Sequence, residues 1–264
     1  MRRLALLVVV LPLAACGGGG KKEGAPASSA APVDLVEHAA VKTAHVESEH
    51  LVMTASATVS GTSLTVEGSG DFDNASHRGV VHATFGASGM SGDIDEVMDG
   101  TTMYLHSPLF SSTLPAGKTW LELDLQSFGK AHGIDFSALL GQSPTQALAQ
   151  LQGVEQVTKV GEETIDGVAT THYRERIDPK KLPQGAQIEA LTHARYGPVD
   201  IWIGNGDGYV HRYGMTTTLS ENGHSVTTAT TVDLSKYGEA VTVDVPPASA
   251  TVDGTSAALQ GLTS

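Results

Sequence analysis

The sequence predicts an α+β fold built on an antiparallel sheet of about 10–11 strands. Three observations lead there. Apolar residues alternate with period two through most of 48–124 and again through much of 154–234. Asp-Gly and Asn-Gly pairs punctuate those runs at Asp99-Gly100, Asp166-Gly167, Asp207-Gly208 and Asn222-Gly223. Such pairs suit tight hairpins because they tolerate the positive φ that the turn demands. Two capping boxes mark helical segments between or before the strands. With 40% apolar residues the chain can bury a core, which excludes a disordered class.

The elements follow in order. Asp34-Leu-Val-Glu37 reads as a capping box, with Asp34 as N-cap, and opens a helix over 35–46. Leu35, Ala39, Thr43 and Val46 share its apolar face, flanked by Val36 and Ala40. A meander of six strands then fills 48–124. Its period-two apolar positions are Met53, Ala55 and Ala57, then Leu64, Val66 and Phe72, then Val81, Ala83 and Phe85. Met103 with Leu105 and Leu121 with Leu123 continue the series. Ser143-Pro144-Thr145-Gln146 is the second capping box, and Ala147, Leu148 and Leu151 form its apolar face. A short helical turn is expected over Phe136–Leu140. Strands resume over 154–165 and 168–177. Asp178-Pro179 opens a helical stretch carrying Ile188, Leu191 and Ala194, with Gly197-Pro198 as its stop. The last strands cover 199–203, 209–220 and 225–234. No second linker interrupts this order, so 34–247 reads as one domain. The small, polar tail over 248–264 is expected to fray.

The N-terminus reads as an address and an anchor. Arg2 and Arg3 precede an apolar run over 4–13, and Leu13-Ala14-Ala15-Cys16 matches a bacterial lipobox. This is a secretory signal over 1–15, too short to span a membrane. Cys16 is the expected acylation site, so the chain is expected on the outer face of the plasma membrane, anchored by lipid. Residues 16–33 form a Gly-, Ala-, Ser- and Pro-rich tether.

Composition excludes several chemistries. The net charge of −13 argues against nucleic acid as a partner, since phosphate binding needs clustered Lys and Arg. One cysteine excludes an intrachain disulfide and any multi-cysteine metal site. Gly117-Lys118-Thr119 lacks the upstream glycine and the following helix of a phosphate loop. Gly89-Met-Ser-Gly92 runs into Asp93 and is no nucleophile elbow. Asp71-Phe-Asp73 and Asp93-Ile-Asp95 begin like calcium loops, lack the later ligands, and read as polar turns. The 11 histidines show no H-E-x-x-H or H-x-H spacing. Arg174 and Arg176 read as edge-strand charge. No catalytic residue, resident metal or cofactor is therefore expected, and the chain does not read as an enzyme.

Several stretches together resemble a known family. They are the lipobox at Cys16 with its tether, the capped helix before a long meander, and the helical insert. Gly161-Glu-Glu-Thr-Ile-Asp-Gly-Val168 leading into Thr171-His-Tyr-Arg174 belongs with them. So does Pro198-Val-Asp-Ile-Trp-Ile203 with Gly208-Tyr-Val-His-Arg212. This pattern resembles the actinobacterial lipoprotein family of LppX, LprA, LprF and LprG, related in fold to the LolA carriers. The resemblance spans 34–245. It implies a strongly curved half-barrel with helices covering its concave face and an apolar cavity between them. It also implies a nonenzymatic protein that binds or carries lipid or glycolipid acyl chains.

The residues are compatible with that. Gly68, Gly70 and Gly79 lie in or beside strands, where a curved sheet uses glycine. Many inward positions are small, among them Ala55, Ala57 and Ala83. The period-two apolar set from Met53 to Leu123 is the candidate acyl-chain lining. A second reading is a surface lipoprotein that acts as a sensor or presents its domain to a partner, with no lipid guest. A solvent-connected apolar cavity would favour the first, a filled core with an exposed patch the second.

Overall fold

Pro32–Ala44 forms helix α1 in the computed structural model, which describes residues 32–59, 62–87, 89–111, 113–127, 145, 148, 156–176, 195–221 and 224–255. The helix starts three residues before its expected first turn. Proline suits that start, because its missing N–H is one that a helix leaves unbonded anyway. Asp34 therefore sits inside the first turn, where its charge favours the helix dipole, and is not the N-cap. Val36, Ala39, Ala40 and Thr43 are buried, while Leu35, expected on the inner face, is turned outward.

Twelve strands follow. They are β1 (Ser48–Val59), β2 (Thr62–Asp73), β3 (Arg78–Ala87), β4 (Met90–Asp99), β5 (Thr102–His106) and β6 (Trp120–Asp124). Then come β7 (Val157–Ile165), β8 (Val168–Glu175), β9 (Arg195–Gly204), β10 (Val210–Glu221), β11 (His224–Ser235) and β12 (Thr251–Asp253). A short helix α2 (Pro108–Ser111) lies between β5 and β6. All strands join one large curved sheet that does not close, in the order β12-β6-β5-β4-β3-β2-β1-β11-β10-β9-β8-β7. The two meanders meet where β1 pairs with β11. Among the described residues, Asp99-Gly100, Asp166-Gly167 and Asp207-Gly208 lie at turns where the sequence marks them. Asp166 and Gly167 both take positive φ, at 48° and 85°, the pattern of a type I′ hairpin. Gly100 takes φ 62° between β4 and β5.

Three differences from the sequence reading have physical causes. Gly197-Pro198 does not stop a helix. It lies inside β9, where the pairing with β10 slips between Met215 and Thr217. A bulge lets the strand carry a proline, which has no N–H to give the ladder. Thr251–Asp253 lies in the tail expected to fray, yet it pairs in parallel with β6, so the sheet is not wholly antiparallel. Lys118 donates to the carbonyls of Ala248 and Ser249 at 3.0 Å each, and the amides of Thr119 and Trp120 both reach Ala250 O. These bonds hold the tail against the sheet edge. Asp71, Asp93 and Asp95 lie within strands and are not turn residues, whereas Asp73 ends β2 and its carboxylate accepts from the Ala75 and Ser76 amides of the turn.

The main core lies between α1 and the second meander. Val36, Ala39 and Ala40 pack with Leu51, Tyr173, Val199, Ile201, Ile203, Val210, Val232 and Leu234, and Leu148 joins them. Burying each large member contributes roughly 1.5–3 kcal/mol. Thr43 clamps the helix to the sheet: its hydroxyl donates to Ala39 O and accepts from Val210 N at 2.9 Å. A second cluster, Ala55, Val66, Ala83 and Phe85, lies in the first meander. Among the described residues, α1 packs against β7, β9 and β10, and α2 against β4. Most of the second capping box, the turn over 136–140, the helical stretch after Asp178, the Asn222-Gly223 turn and the whole signal, Cys16 and tether to residue 31 lie outside the described residues. Thr145 and Leu148, which are described, are helical.

Candidate functional site

Side chains alternate across a strand, and antiparallel register carries one face from strand to strand. In the first meander the cross-strand rows run Glu49–Phe72–Gly79–Met98–Met103–Leu123 and Leu51–Gly70–Val81–Glu96–Leu105–Leu121. They continue as Met53–Gly68–Ala83–Ile94, Ala55–Val66–Phe85–Gly92 and Ala57–Leu64–Ala87–Met90. All thirteen candidate lining residues therefore share one face. It is the face that α1 covers further along the sheet, since Leu51 faces Leu234 across β1 and β11.

That face is uneven. Ala55, Ala57, Val66, Ala83 and Phe85 are buried. Met53, Leu64, Phe72, Val81, Met103, Leu105, Leu121 and Leu123 keep intermediate exposure. The glycines are packing requirements. A Cβ on Gly79 would lie 2.4 Å from the Phe72 ring, and one on Gly92 would lie 2.9 Å from the Phe85 ring. Each phenylalanine thus lies over the glycine opposite it, which pins the register.

Three glutamates break the apolar rows. Glu49 is buried and accepts a hydrogen bond from Asn74 Nδ2 at 2.5 Å. Glu96 lies between Val81 and Leu105, and burial pushes its carboxyl up to about 7. Glu175 on β8 is 1% exposed, and neither of its carboxylate oxygens has a hydrogen-bond partner among the described residues. Burial, with the charge of Glu37 on α1, pushes it up to about 8. Period-two reading passes over these residues because a glutamate in an apolar row scores as an error of alternation.

The opposite face is polar and rich in histidine–carboxylate pairs. His50 Nδ1 meets Asp71 at 2.7 Å. Asp95 bridges His82 Nδ1 at 2.6 Å and His106 Nδ1 at 3.1 Å. His172 Nε2 meets Asp200 at 2.7 Å and stacks on Trp202 at 4.0 Å. Arg174 also grips Asp200 with two bonds, so it serves an interior strand, not a sheet edge. A cleft of about 350 Å³ opens on this face over Val80 and Val97, bordered by Ser69, Asp71, His82, Asp95 and Trp120. None of its residues is in the candidate lining set except Val81. The only sequence signal for it was the histidine count, because the partners meet through register alone. Among the described residues, no group of three or more His, Cys, Asp or Glu is placed to hold a metal ion. Nor, among them, is any helix long and apolar enough to cross a membrane.

Comparison with known proteins matches residues 31–243 to the LppX_LprAFG lipoprotein family. The chain belongs to that family. The crystal structure of LprF from Mycobacterium bovis is 16% identical, with a TM-score of 0.46, covering 81% of this chain and 96% of that one. The crystal structure of the Mycobacterium tuberculosis lipoprotein LppX is also 16% identical with a TM-score of 0.46, covering 82% of this chain and 100% of that one. An uncharacterized 31.2 kDa protein of Streptomyces griseus is 29% identical over 155 residues, which is 52% of this chain. That match spans about half of the Streptomyces protein, 48%. This LppX_LprAFG member thus builds one sheet with a mainly apolar face and a mainly polar one.

Proposed function

We propose that this LppX_LprAFG member is an extracytoplasmic lipoprotein that binds the acyl chains of a lipid or glycolipid and catalyses no reaction. Acylated Cys16 holds it to the outer face of the plasma membrane. The acyl chains lie on the face of β1–β6 that carries Met53 to Leu123, in the hollow between that sheet and its covering helices. One observation carries the reading: eight of the thirteen candidate lining residues on that face remain half-exposed. A filled core would cover large side chains such as Leu105, Leu121 and Phe72. Alanines at 55, 57 and 83 keep the side chains beside them short. Each methylene moved there from water contributes about 0.8 kcal/mol, so one long chain offsets its own ordering cost.

The test reads lipid and stability together. Protein from its own host is examined by native mass spectrometry and lipid extraction, beside Ala57→Trp and Ala83→Trp. A lipid-binding face predicts bound lipid in the parent, its loss in the variants, and a small change in urea midpoint. A filled core predicts overpacking of about 1–3 kcal/mol in the variants. That loss, with no lipid in the parent, would refute the proposal and favour a module that presents its domain to a partner.

A further inference from the structure

We propose that the polar face carries a second, separate site, a carbohydrate-binding cleft bounded by Trp120, Asp95, His82 and Asp71, with His106 beside it. The site is independent of the acyl face, because alternate residues of the same strands point to opposite sides. Its residues come from four strands. Asp71 lies near the end of β2, His82 in β3 and Asp95 in β4, and Trp120 opens β6. Register brings them together: Ser69, His82, Asp95 and His106 form one cross-strand row. Trp120 lies beyond that row, its ring centroid 5.4 Å from that of His106.

The chemistry of the cleft narrows its ligand. Its volume of about 350 Å³ falls within the range of small-molecule sites. Among the described residues no lysine or arginine lines it, and its one histidine, His82, is already paired with Asp95, so a phosphate or carboxylate gains little there. No metal-ligating group of three is present among the described residues. An organic cation gains little: the two carboxylates that project from this face already have histidine partners, His50 on Asp71 and His82 with His106 on Asp95, and the third lining residue with a carboxylate, Glu96, belongs to the Val81–Leu105 row of the other face. An acyl chain would cover the carboxylates of Asp71 and Asp95 and offer them no hydrogen bond. What remains is a neutral molecule with many hydroxyls.

The cleft suits such a molecule. The carboxylates of Asp71 and Asp95 are fixed in place by their histidines and retain lone pairs for ligand hydroxyls. His82 and His106 spend Nδ1 on Asp95, which leaves Nε2 as a second polar contact on each ring. Val80 and Val97 supply an apolar floor and Trp120 an aromatic wall for the C–H faces of a sugar ring. Hydrogen bonds from His82 and His106 outweigh the effect of burial on Asp95 and hold its carboxyl below its ordinary value. It therefore stays an acceptor throughout the neutral range.

The chain has two tryptophans, Trp120 and Trp202. In the full chain carrying Trp202→Phe, indole emission reports on Trp120 alone. The titrants are maltose, cellobiose and trehalose, with inorganic phosphate and choline as the two charged probes. At least one disaccharide is expected to give a saturable change, weakened tenfold or more by Asp95→Asn. Calorimetric titration of the parent and of Asp95→Asn provides the same reading if Trp202→Phe does not fold. No saturable binding of any of the three sugars would overturn the proposal. So would saturation by phosphate or choline alone, or sugar binding unchanged in Asp95→Asn.

Discussion

Replacing Glu175 by glutamine should remove much of this protein's loss of stability as pH rises. Glu175 is 1% exposed, opposite Val157 on one side and Val199 on the other, and its carboxylate oxygens have no hydrogen-bond partner among the described residues. Burial and the neighbouring Glu37 raise it from 4.5 to about 8. Between those values the unfolded chain has lost the proton that the folded chain keeps, so folding takes up a proton. The group's contribution is thus fully present below pH 4.5 and is lost as pH rises through about 8. At 1.36 kcal/mol per pH unit the full effect is about 5 kcal/mol as an upper limit, with some 3 kcal/mol lost by pH 7. Glutamine keeps the shape and a neutral dipole but cannot ionise. Urea midpoints of parent and Glu175→Gln at pH 5, 6, 7 and 8 provide the assay. The two proteins should be close at pH 5, and the variant more stable by several kcal/mol at pH 8. Any contribution of Glu96 is common to both and cancels in the difference. Parallel pH curves would refute the reasoning, because they would mean that Glu175 ionises as freely in the folded chain as in the unfolded one.

Other expectations follow from the same packing. Gly70→Ala places a Cβ 2.4 Å from the Val80 carbonyl oxygen and should cost about 1–3 kcal/mol in a urea midpoint. Gly86→Ala, whose nearest neighbour is Thr65 Oγ1 at 3.4 Å, should be neutral or stabilising by about 0.5 kcal/mol, because alanine restricts the unfolded chain. Gly167→Ala meets open space, yet its φ of 85° strains any L side chain, so a loss of about 1 kcal/mol is expected in thermal or urea unfolding. Cys16→Ala should leave the chain unprocessed or release it to the medium. Membrane fractionation with intact-mass measurement decides this, and a variant that remains membrane-bound at the mature mass less its lipid would contradict the anchor.

Much of the architecture was legible because it is local. The alternation from Met53 to Phe85 needs no partner to specify which residues face together, and Asp166-Gly167 encodes its own hairpin. Neighbouring hairpins then fix register by parity, so thirteen residues chosen from sequence fall on one face. Long-range contacts decided what no local pattern carries. The pairing of β1 with β11 joins segments about 170 residues apart, and it determines that one sheet, not two, is built. Thr251–Asp253 has almost no pattern of its own. It becomes a strand because β6 offers an unpaired edge and Lys118 holds the preceding carbonyls. Gly197-Pro198 reads as a stop in isolation, but the neighbouring β10 absorbs the misfit as a bulge. The burial of Glu175 and the bridging of His82 and His106 by Asp95 likewise follow only from which strands meet. A side chain's charge is written in the sequence, but its partners and its solvation belong to the folded neighbourhood.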